Sequence, residues 1–357
     1  MRSIYSTDSY YYELPERLVA QQPASPRDSS RLLVLDRTKG SWEHKSFSDL
    51  PSLLNEGDLI VANNTKVIRA RLTGRRIGHE GEREVQGGKV EFVLLEEESP
   101  LVWEGLMHAS AKHKPGLRFE VQSSAGQSLI GTIVRGPDAQ GIMAVEFNKD
   151  PIECGAGEVP LPPYIRRPAL PNDELNYQTI YAKELGSAAA PTAGLHFTEK
   201  IKTKLVEKKV GWAELTLHIG IGTFRPVKTS DIREHRIHEE RFSITRDTAE
   251  TVTRIKRGGR RIIAVGTTTV RALESTVDGA AGTSIESEMR RTSLFIMPGE
   301  FKFQVVDGLL TNFHLPCSTL LVLVCAFAGR DLVMAAYEDA IRNNYRFHSY
   351  GDAMLIV

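Results

Sequence analysis

The segment "RIIAVGTTTVRALES", residues 261–275, decides the fold class of this chain. Its apolar first part ends at Gly266 and a helical pattern follows at once, which predicts a buried strand that runs directly into a helix. Such strand-then-helix units are typical of α/β proteins. Three threonines, Thr267 to Thr269, bring hydroxyls and free backbone N–H groups to the helix start, a suitable place for a carboxylate or phosphate; an ordinary threonine N-cap is the alternative.

Upstream, a second unit of regular structure begins the α/β pattern. The stretches "LLVLD" (32–36), "FSDLPSLL" (47–54) and "GDLIVANN" (57–64) have the patterns of a strand, an amphipathic helix and a strand after a Gly-Asp turn. Together they predict a βαβ-like opening of the main domain.

Between about Val67 and Glu153 the pattern changes to short alternating stretches parted by Gly, Pro, Ser and Asp. Evenly spaced short strands without helices indicate a small β-barrel or sandwich. We therefore expect the α/β fold class, with a mixed α/β main domain of barrel-like form that is interrupted by a small all-β barrel domain. The main domain would comprise residues 1–66 and 154–357, and the inserted barrel residues 67–153.

The bulk properties exclude some classes of protein. The 357 residues exceed the usual size of one core, and the 45 Lys and Arg balance the 45 Asp and Glu, which argues against a polybasic, non-specific nucleic-acid binder. Three cysteines without C-x-x-C spacing indicate neither a disulfide framework nor a cysteine zinc site. The N-terminal segment lacks a signal-peptide pattern and the longest apolar run, from Ser318, is too short for a membrane span. We expect a cytoplasmic protein with no membrane partner.

The stretch "AAAPTAGLHFT", residues 188–198, is a candidate binding segment. Its proline and glycine argue against a helix, and its small residues leave the backbone open to close approach. A tight buried turn is the structural alternative. The candidate substrate-binding residues here are Pro191, Thr192, Ala193, Gly194 and Phe197, with His196 as a candidate for proton transfer.

Three further segments carry histidines. "AELTLHIGIGTF" (213–224) contains a G-x-G that Pro226 separates from any following helix, so a ligand-contacting turn is favoured over a dinucleotide fingerprint. "EHRIHEERF" (234–242) has H-x-x-H spacing but no visible third ligand, which favours acid–base or substrate contacts over a metal. "LLTNFHLPCSTLL" (309–321) surrounds a proline turn before an apolar helix. The candidates are His218, Gly220, Gly222, Thr223, His235, His238, Glu240, Asn312, His314, Ser318 and Thr319.

Basic residues gather at Arg254–Arg261 and in the run that includes Arg69 and Arg71. Either cluster is suited to nucleic-acid phosphates, although a run of charge is usually only a solvated face.

Nine segments in order resemble the signature segments of the S-adenosylmethionine:tRNA ribosyltransferase-isomerase family of queuosine biosynthesis. They are "LVAQQPASPRDSSRLLVLDR", "GDLIVANNTKVIRARL", "LPPYIRRP", "YQTIYAKELGSAAAPTAGLHFT", "LHIGIGTFRPV", "EHRIHEE", "VGTTTVRALES", "LLTNFHLPCSTLL" and "YRFHSYGDAM". The chain departs from the family pattern at Ser187, Ile237, Cys317, where lysine is usual, and His348, where another aromatic ring is usual. Cys317 does not carry the charge with which that lysine would contact tRNA or substrate.

The resemblance implies a mixed α/β domain with an inserted β-barrel, and an enzyme that acts on tRNA. The ribosyl part of S-adenosylmethionine would be transferred to the 7-aminomethyl-7-deazaguanine (preQ1) base at the tRNA wobble position and rearranged to epoxyqueuosine, with release of adenine and methionine. S-adenosylmethionine is then a consumed substrate, and no metal or other cofactor is implied. A monomer is expected. An S-adenosylmethionine-dependent RNA methyltransferase and a non-catalytic tRNA-binding protein are the alternatives.

The reaction requires a base near the sulfonium, protonation of adenine and exclusion of water. We predict His196 as a proton-transfer residue next to the substrate, with His218, His235, His238 and His314 as rivals, and Phe197 near the adenine. Gly266, Thr267, Thr268 and Arg271 are predicted to form the site for the methionine carboxylate or a ribose hydroxyl. Tyr177, Gln178, Tyr350 and Asp352 are predicted at the mouth of the site, and Arg69, Arg71, Arg254, Arg257 and Arg260 on a tRNA-binding rim.

Overall fold

The computed structural model describes residues 3–78, 87–110, 113–123, 126–220, 227–276 and 289–357. In chain order its strands are β1 Arg31–Asp36, β2 Ser41–Ser46, β3 Leu59–Asn63, β4 Thr65–Val67, β5 Arg71–Ile77, β6 Lys89–Ser99, β7 Val102–Ala109, β8 Arg118–Gln122, β9 Ser128–Arg135, β10 Ile142–Phe147, β11 Glu184–Ser187, β12 Gly211–Leu217, β13 Glu240–Ser243, β14 Ile262–Val265, β15 Arg290–Thr292, β16 Gly308–Asn312 and β17 Ala353–Ile356. The α-helices are α1 Leu50–Leu53, α2 Asp173–Asn176, α3 Glu199–Glu207, α4 Arg246–Arg257, α5 Thr267–Glu274, α6 Thr319–Ala328 and α7 Arg330–Arg342.

Within the described residues, nine strands form the main sheet in the order β15-β13-β12-β3-β14-β16-β17-β1-β2. The four strands β12, β3, β14 and β16 are parallel, so their carboxyl ends meet at one edge of the sheet. Strand β17 is antiparallel to β16 and parallel to β1, which brings the amino ends of β17 and β1 to the same edge. Ligands of α/β sheets usually bind at such an edge.

Both faces of this sheet are covered. Residues of β14 alternate between two cores: Ile262 and Ala264 face helices α4–α7, whereas Ile263 and Val265 face α1 and α3. Coverage on both sides explains why the central strands are apolar runs without a polar face. The expected α/β class is confirmed, but in the described residues the main sheet ends at β15 and β2 and is not closed, which corrects the barrel-like form expected for the main domain.

The opening of the chain differs from the predicted βαβ unit. Strands β1 and β3 are antiparallel to each other and are separated by β14, β16 and β17, while β1 forms a hairpin with β2. The sequence of β2, "SWEHKS", is polar and largely exposed at the sheet edge, so no apolar pattern marked it as a strand. The βαβ-like opening was therefore wrong, because it took β3 as the partner of β1.

The inserted domain is a closed barrel with strand order β10-β7-β6-β5-β8-β9, which confirms the predicted small all-β barrel. Phe92, Phe119 and Phe147 pack against one another in its core. Gly105 makes this packing possible, because a Cβ there would lie 2.3 Å from the Phe92 ring. The barrel strands run from Arg71 to Phe147. The exact domain boundaries at 66/67 and 153/154 stay predictions.

Two arginines of the main sheet hold the barrel in place. Arg241 in β13 and Arg291 in β15 both form ion pairs with Glu96 in β6, the second at 2.7 Å. The barrel also joins the main domain through the short β4–β11 ribbon and through the pairing of Arg71 with Glu158.

The helix starts follow from their capping residues. Thr198 Oγ1 accepts a hydrogen bond from Ile201 N at α3, and Ser318 Oγ accepts one from Leu321 N at α6. Helices α6 and α7 contribute many of the buried apolar residues of the main core. Across the described residues no single helix is long and apolar enough to cross a membrane; α6 and α7 together pass on length and composition but are bent by 115°.

Candidate active site

The main cavity lies at the edge of the sheet where β14 and β16 end. The space not filled by protein atoms amounts to about 640 Å³, part of which is open to solvent. Nine of the predicted site residues lie in its wall: Pro191, Thr192, Ala193, Gly266, Thr267, Thr268, Asn312, His314 and Ser318. Predicted residues from three separate segments of the sequence thus meet in one cavity.

The start of α5 forms one wall of the cavity. Gly266 takes a φ of +88°, which turns the chain from β14 into the helix and favours glycine. No side chain caps α5, so Gly266 is its N-cap and the alternative of a threonine N-cap does not hold. Thr267 and Thr268 line the cavity, whereas the Thr269 hydroxyl donates back to the Val265 carbonyl at 2.7 Å. The uncapped N–H groups of the first turn favour an anion here.

His196 lies beneath the cavity wall and is 4% exposed. Its Nδ1 is 2.8 Å from Ser30 Oγ, and its Nε2 is 3.1 Å from the Asn312 amide nitrogen. Since an amide nitrogen can only donate, Nε2 accepts and Nδ1–H donates to Ser30. Burial lowers the pKa of His196 to about 3, so the ring is neutral at pH 7. Both ring nitrogens are therefore engaged by protein atoms, which differs from the predicted place beside the substrate.

Residues around His196 explain the small side chains of this segment. Residues Thr192–His196 form a 3₁₀ helix, and the Thr192 hydroxyl donates to Asn312 Oδ1 at 2.8 Å. A Cβ on Gly194 would lie 2.0 Å from the Tyr181 hydroxyl oxygen, so Gly194 serves packing within the protein. Phe197 is fully buried and packs edge-on against Phe47 and Trp212, away from the cavity. The tight buried turn is thus the observed structure, with only part of it facing the cavity.

Of the five histidines predicted to be catalytic, His314 lines the cavity in the described part of the chain. Its Nε2 is 2.8 Å from Thr311 Oγ1. Burial, with a smaller contribution from nearby His348, lowers the pKa of His314 to about 3. Its imidazole is consequently neutral at pH 7.

Sequence reasoning assigned no role to four polar residues of the wall: Tyr164, Thr311, His348 and Ser349. The rings of Tyr164 and His348 stack at 4.4 Å, and the hydroxyl groups of Tyr164 and Ser349 are 2.5 Å apart. Burial lowers the pKa of His348 to about 4. The segments "LPPYIRRP" and "YRFHSYGDAM" matched family motifs, but no periodicity or spacing within them pointed to these side chains.

The other predicted histidines lie outside the cavity wall. His218 Nδ1 is 2.8 Å from Thr65 Oγ1, and burial lowers its pKa. His235 packs edge-on against Phe295, and burial, followed by the charge of His238, lowers its pKa. His235 and His238 are therefore close to each other, between Glu234 and the start of β13.

Arg271 does not face the cavity, which corrects its predicted place beside Thr267 and Thr268. It forms a fully buried ion pair with Glu240, and its Nε donates to the Leu294 carbonyl at 2.9 Å. Glu240 also accepts a hydrogen bond from Gly220 N at 3.3 Å. The charge of Arg271 is thus neutralised within the protein.

The four residues predicted at the mouth are mostly internal. Tyr177 and Tyr350 are buried and pack edge-on, and Asp352 is 2% exposed. The Gln178 amide pairs with both backbone groups of Val67. Their polar groups support the structure around the cavity rather than its rim.

The predicted tRNA-binding arginines fall into two places. Arg254, Arg257 and Arg260 are exposed at the end of α4, before the amino end of β14, which is opposite the cavity edge. Arg69 pairs with Glu174 at 2.5 Å and Arg71 with Glu91 at 3.4 Å, near the entry to the barrel. Their contact with tRNA stays a prediction.

Ser318 and Thr319 lie at the start of α6. Ser318 acts as the cap of α6 and Thr319 is the first residue of that helix. Gly222 and Thr223 lie outside the described residues. In the described ranges no group of three or more His, Cys, Asp or Glu side chains is arranged to hold a metal ion.

Comparison with known proteins gives consistent matches over the whole chain. A family model described as queuosine biosynthesis protein matches residues 7–356. The S-adenosylmethionine:tRNA ribosyltransferase-isomerase of Carboxydothermus hydrogenoformans is 49% identical over 97% of this chain and 98% of its own length. The enzyme of the same name from Aquifex aeolicus is 45% identical over 98% of this chain and 99% of its own length. The crystal structure of an S-adenosylmethionine tRNA ribosyltransferase from Thermotoga maritima has 35% identity and a TM-score of 0.54, covering 99% of this chain and 100% of that one.

Proposed function

The chain belongs to the queuosine biosynthesis protein family, and we propose that it is an S-adenosylmethionine:tRNA ribosyltransferase-isomerase. One observation carries the proposal: relatives with the name of this enzyme match the chain over the main domain and the inserted barrel together. A methyltransferase and a non-catalytic tRNA-binding protein, the alternatives considered from sequence, are not favoured by the family assignment.

In its finer form, the proposal assigns preQ1 at the wobble position of tRNA as the acceptor. The ribosyl part of S-adenosylmethionine joins its aminomethyl group and isomerises to give epoxyqueuosine, while adenine and methionine leave. S-adenosylmethionine is consumed as a substrate, and we propose no separate cofactor. The protein acts as a monomer in this proposal.

The main cavity is the proposed site for S-adenosylmethionine. The uncapped first turn of α5, with Thr267 and Thr268, is suited to the methionine carboxylate. The small side chains of Ala190 and Ala193 permit close approach of the ligand to the backbone. His314 is our first candidate for the proton acceptor, ahead of His196, because His314 lines the cavity whereas both ring nitrogens of His196 are engaged by protein atoms.

The direct test is to incubate the purified protein with S-adenosylmethionine and tRNA that carries preQ1, and to identify products by mass spectrometry. We expect adenine, methionine and a heavier wobble nucleoside in equal amounts. Turnover should be unchanged by a chelator, and tRNA with guanine at the wobble position is the control that should give no product.

S-adenosylhomocysteine as the product would instead identify a methyltransferase. Tight tRNA binding with no product would favour the non-catalytic alternative. Light scattering of the protein at the assay concentration tests the proposed monomer.

A further inference from the structure

A second cleft lies beside the main cavity on the same edge of the sheet. It contains about 650 Å³ of space not filled by protein atoms and is open to solvent. Its polar lining consists of Ser25, Ser29, Ser30, Arg31, Arg346 and Asp352, which we call the Arg346 cleft. Two arginines and one aspartate give this lining a net positive charge.

Arg31 is held by several groups of the protein itself. Its guanidinium contacts Asp352 Oδ2 at 3.1 Å, donates to the Asn343 carbonyl at 2.7 Å and stacks on the Tyr345 ring at 4.0 Å. Asp352 also accepts hydrogen bonds from the backbone N–H groups of Arg31 and Arg346. The aspartate charge is therefore already neutralised by Arg31 and these N–H groups.

Arg346 differs because its guanidinium is only partly used. Its Nη1 donates to the Gln22 carbonyl at 3.3 Å, its Nε is 3.9 Å from Asp352, beyond hydrogen-bond distance, and the side chain is 35% exposed. In the described part of the chain neither Arg346 Nη2 nor Ser25 Oγ has a hydrogen-bond partner. The cleft thus offers a positive charge and hydrogen-bond donors toward its open side.

The Arg346 cleft and the main cavity are separated by one row of side chains. Ser30 lines the cleft, Asn312 lines the cavity, and the His196 ring bridges them through its two hydrogen bonds. A nucleotide that is splayed out so that its base can react keeps its backbone phosphates attached. A phosphate must therefore lie within about one nucleotide of the cavity that holds the reacting base.

We propose that the Arg346 cleft binds a backbone phosphate of the tRNA substrate next to the modified nucleotide, with Arg346 as the contacting charge. This inference rests on the proposed function. Arg guanidinium groups are weakly hydrated and match phosphate geometry. Arg346 can therefore bind a phosphate through directed hydrogen bonds as well as through its charge. Arg31 is a positioning residue that neutralises Asp352 and leaves Arg346 available.

The test compares Arg346→Ala and Arg346→Lys with Arg342→Ala, which removes an exposed arginine of α7 outside the cleft. KM values for tRNA and for S-adenosylmethionine are measured at several salt concentrations. We expect Arg346→Ala to raise KM for tRNA about tenfold, to leave KM for S-adenosylmethionine within about twofold, and to reduce the salt slope by about one. Arg346→Lys should recover part of the tRNA affinity, and Arg342→Ala should resemble wild type.

Inorganic phosphate, added at constant ionic strength, should compete with tRNA in the wild type and have little effect on Arg346→Ala. Equal effects of Arg346→Ala and Arg342→Ala on KM for tRNA would overturn the proposal. A rise in KM for S-adenosylmethionine instead would overturn it too, since the bound anion would then be the methionine carboxylate. Absence of products from the wild type would contradict the proposed function, whereas turnover with unchanged KM values in Arg346→Ala contradicts only this inference.

Discussion

Asn312 donates a hydrogen bond of 3.1 Å to Nε2 of His196. Asn312 lines the cavity, whereas His196, which holds its side chain, does not. His196 is therefore a positioning residue in this structure. It fixes the Asn312 amide, whose oxygen is free to accept from Thr192.

This relationship separates two substitutions at the same residue. His196→Gln keeps a hydrogen-bond acceptor for Asn312 but cannot exchange protons at neutral pH, whereas His196→Ala removes both functions. We expect His196→Gln to retain turnover within about tenfold and His196→Ala to lose more, with a free energy of unfolding lower by about 1–3 kcal/mol because buried donors lose partners. Steady-state rates and urea unfolding check this. If both variants lost about 10²–10⁴ in kcat, His196 would act in proton transfer as predicted from sequence.

Thr268 and its neighbour Thr269 provide a matched pair for testing the anion site. Thr268 lines the cavity, and Thr269 is fully buried with its hydroxyl bonded to Val265. Thr268→Val should raise KM for S-adenosylmethionine about two- to tenfold through loss of one hydrogen bond. Thr269→Val should leave KM unchanged and lower the free energy of unfolding by about 1 kcal/mol. Equal KM values for the two variants would remove Thr268 from the site.

Arg271 and Glu240 are expected to act as a structural pair. Removing one partner leaves an uncompensated buried charge, so Arg271→Met and Glu240→Gln should each lower the free energy of unfolding by about 3–5 kcal/mol. The double variant should lose much less than the sum of the two. A double-mutant cycle by denaturant unfolding measures this coupling. An additive result, together with a raised KM for S-adenosylmethionine in a folded Arg271 variant, would support the contact predicted from sequence.

The buried histidines predict a loss of stability in acid. The folded pKa values of His196 and His314 are about 3 and that of His348 about 4, against an ordinary value of 6.5. Below pH 6.5 the unfolded chain binds protons that the folded chain does not. Stability is therefore complete above about pH 6.5 and falls as the pH decreases toward 4, by about 1.4 kcal/mol per pH unit for each histidine.

Urea unfolding between pH 5 and pH 8 measures this dependence. His348→Phe is the informative variant, because it keeps a ring against Tyr164 and removes one titrating group. It should reduce the slope below pH 6.5 by about 1.4 kcal/mol per pH unit. A slope identical to that of the wild type would show that His348 is protonated equally in both states.

Patterns of apolar residues predicted the individual strands and helices better than they predicted which strands are neighbours in the sheet. The run before Gly266 and the alternating strands of the barrel carry strong periodicity, and both were found as expected. The hairpin of β1 and β2 was missed because a polar edge strand has no apolar face to detect. Which strand lies beside which depends on contacts between distant segments, and local patterns contain no such information.

The candidate site shows the same division. Residue type identified Thr268, Asn312 and His314 as polar groups close to turns, and the structure places them around one cavity. Residue type did not reveal that Arg271 is neutralised by Glu240, because a buried ion pair joins residues 31 positions apart. Nor did it reveal Tyr164 and His348, whose stacked rings come from two segments far apart in the chain.

The position of β17 affects the order in which the protein can fold during its own translation. This strand, formed by residues Ala353–Ile356, lies between β16 and β1 and is fully buried. During translation β1 therefore has no parallel neighbour until residues 353–356 have left the ribosome. The barrel strands follow one another within Arg71–Phe147 and can close much earlier. The barrel strands are thus available before the sheet is complete, and β17 joins the edge that holds the cavity after β1 to β16 have been synthesised.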